Sequence, residues 1–245
     1  CNLRCLFCQN FEISHGGKGL EVSESELVDC MLYLQDIGAH NINLVTPSNY
    51  TNMLQTTLEK AKTVVKLPIV WNSSGYETVA NLRKMQGLVD VYLPDFKYSD
   101  NALAWEYSHA KGYREVALAA LEEMRRQQPK DVFDNDGMMQ KGVIVRHLVL
   151  PGQIENTVDA LRDIASVDKS LYVSLMGQYF PTDNVKDHPT LSRRITQDEY
   201  DKAIDAFFAS GLCNGFSQEL DSATEEYVPD FDLASVRAIL EKYKS

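Results

Sequence analysis

The sequence lacks any apolar run near the roughly 18 residues that a membrane-spanning helix needs. No secretory signal pattern is visible either. Basic residues are scarce, since 24 Lys and Arg stand against 35 Asp and Glu and give a formal net charge of −11. Nucleic-acid binders usually display a basic patch, so this balance argues against a nucleic-acid partner. We therefore expect a cytoplasmic protein that binds neither membrane nor nucleic acid.

Cysteine is sparse too, and its five residues are unevenly placed. An odd number with three in one short loop favours metal binding over a disulfide framework. Cys1, Cys5 and Cys8 form the pattern C-x3-C-x2-C, and thiolates select zinc, copper(I) or iron–sulfur clusters. Structural zinc normally has four protein ligands, and a 4Fe–4S cluster usually has four cysteines. The local set of three predicts a metal centre with one position left for a ligand that is not protein.

The cysteine loop resembles the C-x3-C-x-aromatic-C loop of radical S-adenosylmethionine (SAM) enzymes. The residues QN at 9–10 and HGGK at 15–18 extend the resemblance to the pyruvate formate-lyase activating enzymes. Three more segments resemble the PflX-type branch of these relatives, and they read NINLVTPS at 41–48, DVYLPDFK at 90–97 and RHLVLPG at 146–152. The resemblance runs along essentially the whole chain.

This resemblance implies two cofactors and a radical reaction. In that superfamily three cysteines hold a 4Fe–4S cluster, and the amino and carboxylate groups of SAM chelate the fourth iron. A one-electron donor such as flavodoxin or ferredoxin supplies the electron that cleaves SAM to a 5′-deoxyadenosyl radical, which then abstracts a hydrogen atom. By analogy the hydrogen comes from a backbone glycine of a glycyl-radical enzyme. A small molecule or peptide is the alternative substrate.

Short apolar runs alternate with helical patterns, which predicts one α/β domain over residues 1–245. The predicted strands are 41–45, 68–71, 89–93, 142–150 and 171–175. The predicted helices are 24–37, 51–65, 76–85, 100–109, 113–128, 155–166, 196–209 and 232–244. Residues 129–140 are predicted to be a surface loop, and the acidic run 219–226 a solvated face.

The resemblance implies a partial (β/α)6 barrel of the TIM type, in which the cluster loop follows the first of six strands. Only five strands are predicted after the cysteine loop. We therefore expect the first strand to lie upstream of Cys1.

Ligand-binding residues of parallel α/β folds collect where strands end and loops begin. Thr46 and Ser48 follow the first predicted strand, where the activating enzymes carry a Gly-Gly-Glu motif that this chain lacks. Their hydroxyl and carbonyl groups are candidate SAM contacts, and a simple strand-to-helix turn is the alternative. Asn72 and Ser73 follow the next strand. The resemblance implies a ribose contact at Asn72, and a polar loop is the alternative.

Asp95 and Lys97 leave the third strand on one side of an extended chain. The resemblance assigns them to the methionine end of SAM, and a surface ion pair worth under about 1 kcal/mol is the alternative. Arg146 lies within an apolar strand, so we expect it to point into the barrel and hold an anion. Leu148 shares its face and is expected to line the adenine. His147 points to the other face and is predicted to be a core histidine.

Three other residues carry weaker predictions. Phe7 packs on the SAM adenine by resemblance, or else caps the local core. Asn10 hydrogen-bonds the cofactor, or else forms an Asx-turn. Gln178 follows the fifth strand, where the relatives place a histidine that contacts the nucleoside.

Two non-enzymatic interpretations of the sequence are the remaining alternatives. An electron-transfer iron–sulfur protein would need a fourth cysteine near the triplet, and Cys30 and Cys213 are the candidates. A structural zinc module would use His15 or a residue of a second loop as its fourth ligand. Neither reading explains the D-x-K pair and the in-strand arginine together.

Overall fold

The computed structural model of the protein describes residues 1–217 and 233–243, so the acidic run 219–226 lies outside the described residues. The strands are β1 (Ile42–Val45), β2 (Ile69–Ser73), β3 (Val91–Pro94), β4 (Val132–Phe133), β5 (Met139–Leu148), β6 (Tyr172–Met176) and β7 (Asn214–Ser217). The helices are α1 (Phe11–Ser14), α2 (Glu24–Asp36), α3 (Thr51–Ala61), α4 (Val79–Lys84), α5 (Asn101–Ser108), α6 (Tyr113–Gln127), α7 (Ile154–Val167), α8 (Gln197–Ala209) and α9 (Leu233–Tyr243).

Over the described residues the sheet has six parallel strands in the order β1-β2-β3-β5-β6-β7, and β4 pairs with β5 in the antiparallel direction. Because strand order follows chain order, each strand lies beside the next, with helices in between, as in a TIM-type barrel. In the described part of the chain β1 and β7 stand at the two ends of this order, so the sheet is open. The predicted α/β partial barrel is confirmed.

Local capping explains where the clearest helices begin. The Ser23 hydroxyl accepts the Glu26 amide at 3.2 Å, and the Glu26 carboxylate accepts the Ser23 amide at 2.8 Å. This capping box starts α2 at Glu24, the residue where the helix was predicted to begin. Thr196 and Glu199 form a second capping box at the start of α8.

The predicted surface loop at 129–140 is wrong in part, because β4 and the start of β5 form a hairpin there around an exposed turn at 134–138. The Asp134 carboxylate accepts the amides of Asp136 at 3.0 Å and Met138 at 2.8 Å, which closes the turn. Gly137 takes a φ of +77°. A two-residue strand is too short to show an alternating pattern, so it could not be predicted from the sequence.

The predicted number of strands after the cysteine loop is also wrong, since six parallel strands follow it within residues 1–217 and 233–243 instead of five. The additional strand is β7, whose sequence Asn-Gly-Phe-Ser lacks the β-branched residues that mark a strand. It forms because β6 offers it a free edge, with Val173 opposite Gly215.

The core lies between the sheet and the helices. All five residues of β2 are buried, and the largest buried side chains include Trp71, Tyr92 and Tyr98. Over residues 1–217 and 233–243 no helix is long and apolar enough to cross a membrane.

Candidate functional site

The cysteine loop is anchored to the last residues of α5 by two backbone hydrogen bonds. The Leu6 amide donates to the Tyr107 carbonyl at 2.9 Å, and the Arg4 amide donates to the Ser108 carbonyl at 3.0 Å. Residues 1–8 form no helix or strand of their own. Contacts with a helix that is distant in sequence therefore hold the three thiols in place.

The same loop contacts the carboxyl end of β2. Ser74 directly follows β2, and its hydroxyl donates to the Asn2 side-chain carbonyl at 2.9 Å. Gly75 comes next with a φ of +71°, and a Cβ there would stand 2.0 Å from the Asp95 carbonyl oxygen. Only glycine tolerates this conformation and this close approach. The chain after β2 therefore packs directly against the chain after β3, beside the cysteine loop.

Each cysteine sulfur of the loop has a hydrogen-bonding group near it. The pairs are Cys1 Sγ with the Leu3 amide at 3.5 Å, Cys5 Sγ with the Ser108 hydroxyl at 3.0 Å, and Cys8 Sγ with the Ser14 hydroxyl at 3.5 Å. Burial raises the pKa of the Cys5 thiol, although Lys97 and Ser108 act in the opposite direction. Cys5 is therefore a neutral thiol until a metal displaces its proton.

In the described part of the chain, no group of three or more His, Cys, Asp and Glu side chains is arranged to hold a single metal ion. A mononuclear zinc site requires such a group. Cysteines that hold a 4Fe–4S cluster bind separate irons, so they are spread more widely than the ligands of one ion.

Four of the predicted polar residues meet in one charged network. Asp95 pairs with Lys97 at 2.6 Å and with Arg146 at 2.7 Å, and Arg146 also donates to the Asn72 side-chain carbonyl at 2.6 Å. Burial acts to raise the pKa of Asp95, but Arg146 and Lys97 outweigh it and hold the pKa below its usual range. The network is charged, and its Lys97 opposes the burial that raises the pKa of the Cys5 thiol.

Backbone pairing places this network. Asp95 and Arg146 form a parallel bridge beyond β3, and the Phe96 amide donates to the Arg146 carbonyl at 2.8 Å. On the opposite face, buried His147 has Nδ1 at 2.6 Å from the Phe96 carbonyl and Nε2 at 3.0 Å from the Thr157 hydroxyl. A carbonyl only accepts, so Nδ1 carries the proton and the histidine is a satisfied core residue, as predicted. Burial lowers its pKa to about 4.

Two predicted residues carry unpartnered buried atoms. Among residues 1–217 and 233–243, the buried side-chain atoms without a hydrogen-bond partner are Ser48 Oγ, Arg146 Nε and Thr182 Oγ1. Thr46, two residues before Ser48, has a left-handed φ of +56°, which is strained for a β-branched residue. Its amide donates to the Asn72 carbonyl at 2.8 Å. Unpartnered polar atoms and backbone strain both concentrate at functional sites.

Phe7 and Ser73 face away from the charged network. The Phe7 ring is 7% exposed and lies edge-on to Tyr179, with ring centres 5.8 Å apart. The ring therefore packs with the core, and its contact with adenine stays a prediction. The Ser73 hydroxyl donates to the buried Glu77 carboxylate at 2.5 Å, and alternation along β2 turns it to the opposite side from Asn72.

Asn10, Leu148 and Gln178 also lie outside that network. Asn10 is exposed before α1, and its side chain makes no capping bond. Leu148 is half-buried against the core. The Gln178 amide nitrogen is 3.9 Å from the Met176 sulfur. Within the described ranges, none of the three bonds to the charged network.

Sequence reasoning missed Tyr113 and Glu77. The Tyr113 hydroxyl lies 3.0 Å from the carbonyls of Ser74 and Asp95 and accepts the Lys97 amide at 3.0 Å, so it joins the ends of β2 and β3. Buried Glu77 also binds the Trp71 indole nitrogen at 3.0 Å. A tyrosine and an acid in ordinary helical and loop sequence carry no signal of such contacts.

A separate cavity of 500 Å³ runs along the open edge of β1. Residues 20–24, 43–47 and part of α3 line it, and Thr46 belongs to this lining. Asn72, Asp95, Lys97 and Arg146 do not line it. The cavity and the charged network are therefore different features of the fold.

Comparison with known proteins places this geometry in a family. The sequence profile of the Radical SAM superfamily matches residues 1–165. An uncharacterized protein of Methanocaldococcus jannaschii, MJ0674, is 28% identical over 215 residues, which cover 84% of this chain and 59% of that protein. The chain thus spans less than two thirds of the length of this relative.

Solved structures share the fold. Methylornithine synthase PylB superposes with a TM-score of 0.62 at 15% identity over 99% of this chain and 78% of that one. Streptococcus suis SuiB bound to SAM gives 0.58 at 12% identity over 92% and 50%. A domain of pyruvate-formate lyase-activating enzyme from Bacteroides vulgatus gives 0.52 at 10% identity over 74% and 100%. At sequence identities this low, the similarity shows a shared fold and does not extend to function.

Radical SAM proteins use a 4Fe–4S cluster and SAM, and the residues present fit both. Three free cysteines share one loop, and each sulfur has a hydrogen-bonding neighbour. The buried Nε–H of the Arg146 guanidinium has no acceptor. It is therefore available to donate a charge-assisted hydrogen bond to the carboxylate of a bound ligand.

Proposed function

Because the chain belongs to the radical SAM superfamily, we propose that it holds a 4Fe–4S cluster through Cys1, Cys5 and Cys8 and cleaves SAM reductively. When bound, the cofactors supply an electron and a 5′-deoxyadenosyl radical that abstracts hydrogen. The observation that carries this proposal is the position of the thiol loop beside the charged network. Ser74, two residues after Asn72, donates to Asn2 of the loop at 2.9 Å, and Gly75 packs against the Asp95 carbonyl.

The charged network has the groups that the amino-acid end of SAM needs. Lys97 and the unpartnered Nε of Arg146 are cations that would bind its carboxylate, and Asp95 would accept its amino group. The side-chain carbonyl of Asn72 is taken by Arg146, which leaves its NH2 group to donate to a ribose hydroxyl. The remaining predicted contacts stay predictions: Phe7, Asn10, Thr46, Ser48, Ser73, Leu148 and Gln178.

The position of the other cysteines supports an open coordination site. Cys213 directly precedes β7, at the amino end of a strand, whereas the cysteine loop packs at the carboxyl ends of the strands. Cys30 lies in the middle of α2. An electron-transfer protein would bring a fourth cysteine to the cluster, and neither position favours that reading.

The first test is anaerobic cluster reconstitution, followed by an assay for 5′-deoxyadenosine formed from SAM under dithionite. We expect reductant-dependent product that disappears in Cys5→Ala and persists in Cys30→Ala, a matched half-buried cysteine outside the loop. A stable cluster that neither binds nor cleaves SAM would sink the proposal and promote electron transfer.

For the substrate we propose a backbone glycine of a glycyl-radical enzyme, on the strength of the motif resemblance at 41–48, 90–97 and 146–152. The test mixes the reconstituted protein and SAM with a candidate glycyl-radical enzyme and looks for a glycyl signal by electron paramagnetic resonance (EPR). Deuterium from a small molecule or peptide appearing in 5′-deoxyadenosine would instead identify the alternative substrate class.

A further inference from the structure

A buried pair of hydroxyl groups stands behind Cys5. The Ser108 hydroxyl is 3.0 Å from Cys5 Sγ, and the Tyr98 hydroxyl is 2.7 Å from the Ser108 hydroxyl. Both Ser108 and Tyr98 are fully buried. Tyr98 directly follows Lys97, and Ser108 ends α5. The two hydroxyl groups therefore come from different parts of the fold, and their contact lies directly behind Cys5.

Proton counting sets the direction of these bonds. Each hydroxyl has one proton to donate. When Cys5 is a thiolate ligand it has no proton, so Ser108 must donate to the sulfur. Tyr98 must then donate to Ser108, because the serine proton is already used. Burial keeps water from taking either place.

We propose that Tyr98 and Ser108 form a fixed donor chain to Cys5 that raises the reduction potential of the cluster. Reduction adds negative charge, and a hydrogen bond to a cluster sulfur stabilises the more negative state. Both are positioning residues, since they act through Cys5. The inference rests on the proposed function only in that Cys5 holds the cluster.

Cys8 provides the matched contrast within the same loop. Its partner is the Ser14 hydroxyl at 3.5 Å, which lies 2.8 Å from His15 Nδ1. These residues belong to or follow α1, a four-residue helix without a buried residue. Water can reach this side and replace a lost hydroxyl. The same serine-to-sulfur contact is therefore expected to matter at Cys5 and not at Cys8.

The test is an EPR-monitored reductive titration of the reconstituted protein without SAM. The hydrogen bond is made in both oxidation states, so the potential reports only how much stronger the bond becomes when reduction adds charge to the cluster, which we take as about tenfold in equilibrium. At fixed poise we expect Ser108→Ala to lower the ratio of reduced to oxidised cluster about tenfold, or about 59 mV in potential. Tyr98→Phe should lower it about threefold, and Ser14→Ala should leave it within about twofold.

A second measurement distinguishes a hydrogen bond donated by Ser108 from an effect of Ser108 on packing alone. The exchangeable proton near the reduced cluster, seen by electron–nuclear double resonance, should be lost in Ser108→Ala and kept in Ser14→Ala. If Ser108→Ala does not fold, Tyr98→Phe still removes one hydroxyl without changing the shape of the side chain. Shifts in Ser108→Ala and Tyr98→Phe no larger than in Ser14→Ala would overturn the inference.

The two proposals can fail separately. A cluster that responds to Ser108→Ala but does not cleave SAM would keep the donor chain and reject the enzymatic function. SAM cleavage with no shift in potential would do the reverse. A wild-type protein that takes up no cluster would overturn both.

Discussion

The cysteine loop has two sides that use similar residues in opposite environments. On the inner side, Cys5 contacts buried Ser108, which Tyr98 supports, and Phe7 packs in the core. On the outer side, Cys8 contacts Ser14, which His15 supports, and Phe11 is exposed. Each side has a cysteine, a serine, a supporting polar residue and a phenylalanine.

The two sides differ in how their contacts arise. The outer contacts join residues within a few positions of one another in a short helix. The inner contact joins Cys5 to a serine 103 residues away. Short-range contacts of an exposed segment add little order, because an isolated helical turn is marginal in water. Burial by the sheet and α5 is what turns the same chemistry into a fixed environment.

The largest contrast in stability should come from the two phenylalanines. Phe7 is 7% exposed and Phe11 is 50% exposed. Phe7→Ala is expected to lower the free energy of unfolding by about 3–5 kcal/mol, because it empties a packed position. Phe11→Ala should lower it by less than about 1 kcal/mol. Urea unfolding of the cluster-free protein measures both, and equal losses would remove the distinction between the two sides.

A smaller contrast should come from the two ion pairs. Asp95, 13% exposed, balances Lys97 and Arg146, whereas Glu12 on the outer side pairs with Lys18 in solvent. Asp95→Asn leaves two cations without a counter-charge and should cost about 3 kcal/mol in urea unfolding. Glu12→Gln should cost under about 1 kcal/mol. If both variants unfold at the same urea concentration, the buried charged network contributes no more to stability than the exposed ion pair of Glu12 and Lys18.

The smallest effect is expected from pH. Since the pKa of His147 falls to about 4 on folding from about 6.5 in the unfolded chain, the unfolded state binds more protons between these values. The free energy of unfolding should therefore fall as pH drops through this window, by at most about 1.4 kcal/mol per pH unit. Asp95 has a lowered pKa, so its contribution is lost only at lower pH, below about 4.

The measurement compares urea unfolding at pH 6.5 and 4.5 in wild type and His147→Asn. Asparagine keeps a donor for the Phe96 carbonyl but has no titrating group. The variant is expected to have a shallower slope whatever its absolute stability. An unchanged slope would show that another group is responsible for the loss.

Part of the site could be predicted because parallel strands bring their carboxyl ends to one edge. Asn72, Asp95, Lys97 and Arg146 follow or lie within three different strands and do meet. Period-two alternation also separated Arg146 from His147 correctly. Alternation and strand order are properties of the backbone, so a single sequence is enough to apply them.

The rest depended on contacts that leave no local pattern. Strand β7 forms on the edge of β6 despite a sequence poor in strand-forming residues. The edge-on contact of Phe7 with Tyr179 joins residues far apart in the sequence, so neither residue alone indicated it. Tyr113 joins two strand ends from a helix, which no spacing rule indicates.

The sequence by itself determined the three-thiol loop, the parallel α/β architecture and the charged residues at the strand ends, because spacing and periodicity act over a few residues. Only the tertiary structure decided which cysteine has a buried donor and which has its partner on a helix without a buried residue. That choice depends on Ser108 and Tyr98 reaching Cys5 across the fold. A hydrogen bond excluded from water exists only once the whole core has closed around it.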